Sequence, residues 1–308
     1  MKICIQTGNV IDRTGYREGY RAFAQAGFEG VDWNLDHAWK ASDLKDGSYE
    51  GKCIFEKPLE EVIAHYASEL EAIRENGLEI SQAHAPFPCV VWGKPEVTDY
   101  AVKVYERNIE YCDYIGCKNL VIHGISRPAD KNDESIKEIY ERNFDLYSRL
   151  IPALNGTGVT VCLENLFTQY KGMKNQGHCS DPHSACEIID ALNEKAGEEK
   201  FGLCLDTGHL NLLRIDIREY AAVLGRRIKC LHVHDNNGSS DQHMAPLTGT
   251  VNWGNFCSSL RDAGYDGDLS FETFNQTEIA MDFDSAALMP WLRLIRETGE
   301  ILRDRITK

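Results

Sequence analysis

Side chains able to hold a divalent cation stand at the ends of successive apolar runs in this chain. ISQAHAPF carries His84, NLVIHG carries His123 and TVCLENL carries Glu164. FGLCLDTGH carries Asp206 and His209, IKCLHVHDN carries His232 and His234, and DLSFETF carries Glu272. The short segment SDQHM adds Asp241 and His243. Two glutamates buried near one point need a cation, a proton or basic neighbours. Asp206 and His232 would complete a Glu/Asp/His/Glu cage with Glu164 and Glu272. Such mixed carboxylate and imidazole donors suit manganese, zinc, cobalt or iron(II) without choosing among them. Residues two apart point the same way along a strand, so His232 and His234 stay open as alternatives for the ligand. The other of the two would contact substrate or be a satisfied core histidine. His209 follows Asp206 by three residues and is read as a second ligand or a substrate contact.

Apolar runs must be strands for these residues to gather. Eight are expected, at 2–8, 30–35, 78–86, 119–125, 160–166, 201–207, 227–235 and 268–274. They are short and rich in Val, Ile, Leu, Cys and Phe, as doubly buried parallel strands are. Helical spacing fills most of the gaps. Over 58–76, Leu59, Val62, Ile63, Tyr66, Leu70 and Ile73 recur on one face before the Asn76-Gly77 stop. Helices are also expected over 99–115, 135–154, 216–224, 253–263 and 285–302. Asp181-Pro182 reads as an N-cap followed by proline at the first helical position. The alternation predicts an α/β chain forming a single (β/α)8 TIM barrel over residues 1–308, with the ligands over one mouth. An open doubly wound sheet is disfavoured because Thr7-Gly8-Asn9 after the first strand is no GxGxxG loop. Long stretches follow the second strand (37–57) and the fifth (167–180), where pocket-building loops belong. Trp33 is read as an apolar wall for substrate. Lys171, Lys174 and Arg127 are candidates for a phosphate contact, and Trp92 and Trp253 are candidates for wall or core. His65 and His37 are assigned to helix surface and loop.

Bulk properties narrow the function. A net charge of −15 repels nucleic acid and anionic membranes, because binding to phosphates draws on Lys and Arg. A small anionic substrate responds to local charge instead. No run of about 20 apolar residues would span a bilayer. Met1 to Gly8 is already strand-like, so a cytoplasmic protein is expected. The 11 cysteines form no CxxC pair and are read as core residues rather than a disulfide framework.

LENL, LDTGH, LHVHDN and SFET, in this order, resemble the xylose isomerase-like TIM barrels, a superfamily of sugar isomerases, ketose 3-epimerases, inosose dehydratases and endonuclease IV-class enzymes. The resemblance covers nearly the whole chain. It implies a divalent metal, manganese or zinc, held by Glu164, Asp206, His232 and Glu272, with His234 as the alternative register. The endonuclease IV branch uses nine ligands for three zinc ions. Matches to its motifs add His84, His123, His209, Asp241 and His243, so one ion or two or three are implied. Members of the superfamily often pair, which implies a homodimer.

The expected function is therefore a metal-dependent isomerase or epimerase of a small sugar, sugar phosphate or polyol. Proton transfer would run through a metal-bound enediolate, with Glu164 and Glu272 as acid and base and His209, His234, Trp33 and Lys171 around the substrate. The alternative is a multinuclear zinc phosphoesterase; a non-catalytic sugar-binding barrel is the third reading.

Overall fold

The computed structural model describes residues 1–35, 39–126 and 136–308, the side chain of residue 136 excepted. Among the described residues there are ten strands: β1 (Ile3–Gln6), β2 (Gly30–Asn34), β3 (Glu79–His84), β4 (Asn119–Ile122), β5 (Thr160–Glu164), β6 (Phe167–Tyr170), β7 (Met173–Gln176), β8 (Phe201–Asp206), β9 (Ile228–His232) and β10 (Leu269–Phe271). Eight of them form one sheet in the order β10-β1-β2-β3-β4-β5-β8-β9. Beyond β9, Val233 N donates to the Ser270 carbonyl at 2.9 Å and Glu272 N donates to the Val233 carbonyl at 3.1 Å. That ladder carries the strand order round towards closure. The fold is a (β/α)8 TIM barrel, with helices between successive strands of the eight-stranded sheet.

Side-chain direction follows from register. Cys4 lies opposite Ser270 and Gly30, while Ile5 lies opposite Phe271 and Val31. The face with Ile3 and Phe271 packs on the last helix, Leu288–Thr307, at Gly299. A Cβ there would lie 2.8 Å from Phe271 Cε2 and 2.9 Å from Ile3 Cγ2. Only glycine lets the helix approach so closely. The opposite face carries Cys4, Gln6, Asp32, Ser270 and Glu272, so polar and acidic groups occupy the interior side.

Two compact units account for the contacts: residues 1–33, 68–81 and 204–308, and residues 34–67 and 82–203. In the first, Tyr20, Phe23, Phe256, Phe271, Leu292 and Ile295 are fully buried. In the second, Tyr105, Tyr111, Tyr147, Val161 and Ile189 fill the same role. All eleven cysteines are thiols; ten are buried and Cys186 is half-exposed.

Several boundaries differ from the sequence reading for local reasons. The helix expected from residue 99 begins at Pro95, since proline at the first helical position loses no hydrogen bond. The span 135–154 divides into Ile136–Ser148 and Ile151–Leu154, with Pro152 in the second piece. The segment after the fifth strand is partly a hairpin of β6 and β7. Lys171 and Gly172 form its turn at φ 47° and 81°. Two successive positive φ angles define a tight hairpin turn whose usual sequence is Asn-Gly, and lysine in the first place hid it. The stretch after β2 contains the helix Ala41–Asp46. Asp181 caps its helix as expected, accepting from Ser184 N at 2.8 Å.

Candidate metal centre

In the second unit, β3, β4 and β5 deliver His84, His123 and Glu164. Their donor atoms lie within 4.8 Å of one another. His84 Nδ1 lies 2.8 Å from the Ala85 carbonyl, which only accepts, so that nitrogen carries the proton. Nε2 is left as a lone pair facing His123 Nε2 at 3.1 Å. The same His123 nitrogen lies 2.9 Å from Glu164 Oε2. One N–H cannot serve both acceptors along good lines, whereas a cation at their common focus would serve all three. The backbone carbonyl behind His84 is the kind of support that orients a metal-binding imidazole. Phe87 packs over the pair, 4.4 Å from the His123 ring centroid.

The first unit gathers the remaining donors. Asp206 ends β8 and caps the helix Thr207–Leu213, accepting from His209 N at 2.6 Å. His234 Nε2 lies 3.0 Å from Asp206 Oδ2, and Asp206, His234 and Glu272 form a buried donor group. His234, Asp241 and His243 form another. His209 Nε2 stands 3.4 Å from Asp241 Oδ2. The His234 ring stacks on His243 at 4.0 Å, and His243 stacks on Phe274 at 4.1 Å. His243 Nδ1 is 3.1 Å from the Glu272 carbonyl, and Nε2 is 3.1 Å from Asp241 Oδ2. With Nδ1 protonated, a neutral His243 would aim a lone pair at a carboxylate. A proton or a metal ion has to lie between them, so this donor set also fits a cation.

Electrostatics agree. Burial disfavours the His243 cation, but Glu272 and the contact with Asp241 outweigh it and raise the pKa to about 9. Burial likewise opposes the Asp241 carboxylate, yet contacts with His209 and His243 hold its pKa well below the usual range. In the metal-free protein, the stability from His243 is present below its ordinary value of 6.5 and lost as pH rises through about 9. The stability from Asp241 is present above its ordinary value of 3.8 and lost on strong acidification. A metal competes with the His243 proton for the same lone pair. Metal affinity at this cluster should rise roughly tenfold per pH unit between about 6.5 and 9, with proton release in calorimetry. A pH-independent affinity across that interval would contradict the assignment.

Gly208 explains the glycine of DTGH. A Cβ there would lie 2.0 Å from His234 Cε1, inside the buried ring. Gly208→Ala should displace His234 and weaken zinc binding about tenfold or more in chelator competition, with Asp206 intact.

The sequence left His232 and His234 open. It is His234, first read as a substrate contact, that approaches Asp206. His232 turns Nε2 towards Asp32 Oδ2 at 3.3 Å and Nδ1 towards Glu272 Oε2 at 3.6 Å. Trp33 does not line the site as expected. It lies on the helix-facing side of β2, 1% exposed, and donates from Nε1 to Glu69 Oε1 at 3.1 Å. Lys171 is exposed in the hairpin turn, its Nζ 5.0 Å from the Tyr170 ring centroid. Lys174 donates to Gln169 Oε1 at 2.6 Å. Arg127 and His37 lie outside the described residues. Trp92 packs against Arg142, and Trp253 donates to Asp235 Oδ2 at 3.0 Å.

Two residues escaped the sequence reading. Asp32 is fully buried on the interior face. Asp235 is also fully buried and accepts from Asn236 N, Gly249 N, Val251 N and Trp253 Nε1 at 2.9 to 3.1 Å. A charged residue inside the apolar run GVDWN was the available signal for Asp32.

The chain belongs to the xylose isomerase-like TIM barrel family, whose pattern matches residues 20–304. A probable endonuclease 4 of Ureaplasma parvum is 28% identical over 194 residues, covering 58% of this chain and 59% of that protein. A ketose 3-epimerase of Arthrobacter globiformis is 25% identical over 167 residues, covering 52% of this chain and 52% of that protein. The chain thus spans between half and two thirds of these two relatives. Among solved structures, a D-tagatose 3-epimerase-like protein superposes with a TM-score of 0.71 at 20% identity, over 99% of this chain and 100% of that one. At that identity the likeness establishes the fold. Among the described residues, no helix is long and apolar enough to cross a membrane.

Proposed function

We propose that this protein is a divalent-metal-dependent isomerase or epimerase acting on a small sugar, sugar phosphate or polyol in the cytoplasm. The observation that carries the reading is the buried convergence of Asp206, His234 and Glu272 within 4.8 Å. The likeness to a ketose 3-epimerase supports it. Manganese and zinc both suit the donor set. A bound ion would supply Lewis-acid polarisation of the substrate carbonyl. Asp206 and His234 would hold that ion, with Glu272 as the ligand that also moves the proton. Glu272 would remove the proton on the carbon next to the carbonyl, and a proton returned on the opposite face would complete the epimerisation. His209, fixed by Asp206 and Asp241, donates to a substrate hydroxyl.

The test is solvent exchange. Incubated in deuterium oxide with a panel of ketoses, the metal-loaded protein should place deuterium on the carbon next to the carbonyl of its substrate. Turnover without any such label would rule out the proton-transfer scheme.

A second reading is a multinuclear phosphoesterase. It is favoured by the additional donor groups around His84, His123 and Glu164 and around His234, Asp241 and His243. Ions held there would supply activation of water for displacement at phosphorus. The charge of −15 argues against a polyanionic nucleic-acid substrate. Metal analysis bears on the choice. One ion per chain favours the isomerase, and cleavage of an activated phosphodiester by protein with two or three ions favours the phosphoesterase.

A further inference from the structure

Asp32 has no place in the chemistry described so far. It is a carboxylate with 0% exposure on β2, and Ser270 Oγ donates to its Oδ2 at 3.3 Å. The same Oδ2 lies 3.3 Å from His232 Nε2. The other nitrogen of that ring, Nδ1, lies 3.6 Å from Glu272 Oε2. His232 is itself 1% exposed. A buried imidazole thus stands between two carboxylates, one on each nitrogen. Neither contact is a hydrogen bond, and both act through charge. Burial makes such a contact count for more than it would in water.

We propose that Asp32, acting through His232, is a positioning residue that sets the orientation of the Glu272 carboxylate. The proposal rests on the reading of Glu272 as a metal-binding, proton-moving group and extends it one residue further into the barrel. The Asp32 carboxylate beside Nε2 favours the ring orientation that turns Nδ1 towards Glu272. His243 Nδ1 approaches the same Glu272 oxygen at 3.4 Å from the SDQHM segment. Glu272 is therefore flanked by two imidazoles, each backed by an aspartate: His232 by Asp32, and His243 by Asp241. Asp241 belongs to a proposed donor group, whereas Asp32 works at one remove.

The test uses full-length protein loaded with cobalt(II), whose visible absorption reports the ligand field. Asp32→Asn keeps shape and removes charge. It should shift the cobalt spectrum and lower cobalt affinity about 10- to 100-fold in chelator competition. His232→Asn places an amide nitrogen near the former Nδ1 but cannot reach Asp32, so it should produce the same shift. The double variant should be no worse than either single one, because both cut one connection. Additive losses, or an unmoved spectrum in Asp32→Asn, would overturn the proposal. A merely structural Asp32 would lower the melting temperature and leave the spectrum of the folded fraction unchanged. If Asp32→Asn does not fold, His232→Asn and Ser270→Ala carry the same test, with the smaller shift expected for Ser270→Ala; an unmoved spectrum in both overturns it. Ketose turnover is read separately. A shifted spectrum with no turnover of any ketose by the wild type would defeat the epimerase reading alone. Turnover with an unmoved spectrum would defeat the positioning role alone.

Discussion

Glu272→Gln should lower turnover of the ketose substrate about a thousandfold, within the range a positioned acid–base group contributes. The amide keeps the size of the side chain and one oxygen, but it cannot take a proton at neutral pH. Deuterium incorporation should fall by the same factor, because removal of the proton is the step assigned to this carboxylate. Metal content should fall less, since Asp206 and His234 remain 3.0 Å apart and buried. Stopped-flow or discontinuous assays with metal analysis on the same sample separate the two effects. Full exchange and turnover in a metal-loaded Glu272→Gln protein would remove Glu272 from the mechanism.

Asp235→Ala should cost on the order of 4 kcal/mol of folding stability, the largest effect expected outside the donor groups. Its carboxylate receives three backbone N–H groups and the Trp253 indole N–H, all at 2.9 to 3.1 Å. Removing it strands several donors, each costing about 1–3 kcal/mol if it stays dry. The actual loss is smaller than their sum because water enters. The affected segment, residues 236–253, contains Asp241 and His243. Its amides should exchange with solvent faster by orders of magnitude, and the His243 contacts should loosen with it. Denaturant melts and hydrogen exchange by mass spectrometry check both. A change in stability below about 1 kcal/mol would show that the carboxylate is not the clamp that its geometry suggests.

Much of this fold was legible because its strands are short apolar runs ended by polar residues. LENL and FGLCLD show where β5 and β8 end without any tertiary information. The helix stops at Gly116 and Gly264 were legible for the same reason: a left-handed residue ends a helix most cheaply when it has no side chain. The β6–β7 hairpin was not legible, since Lys171 occupies a backbone conformation lysine seldom adopts. Trp33 shows the limit of reading a residue by type. A tryptophan beside a donor-bearing strand suggests a wall, yet strand alternation sends it towards Glu69 and sends its neighbour Asp32 inward. His232 and His234 share a face, so periodicity could not separate them. Asp32 beside one and Asp206 beside the other distinguish their surroundings, and those partners are distant in sequence.

The burial of ten thiols beside one half-exposed thiol makes the protein its own reporter of opening. Under native conditions an alkylating reagent should modify Cys186 first and stop near a single adduct. Each further adduct then marks exposure of a particular part of the interior: Cys4 and Cys230 for the strands beside Asp32 and His232, Cys162 for the strand bearing Glu164. Mass spectrometry of the adducts would show which region yields first when metal is withdrawn, with no label added to the sequence.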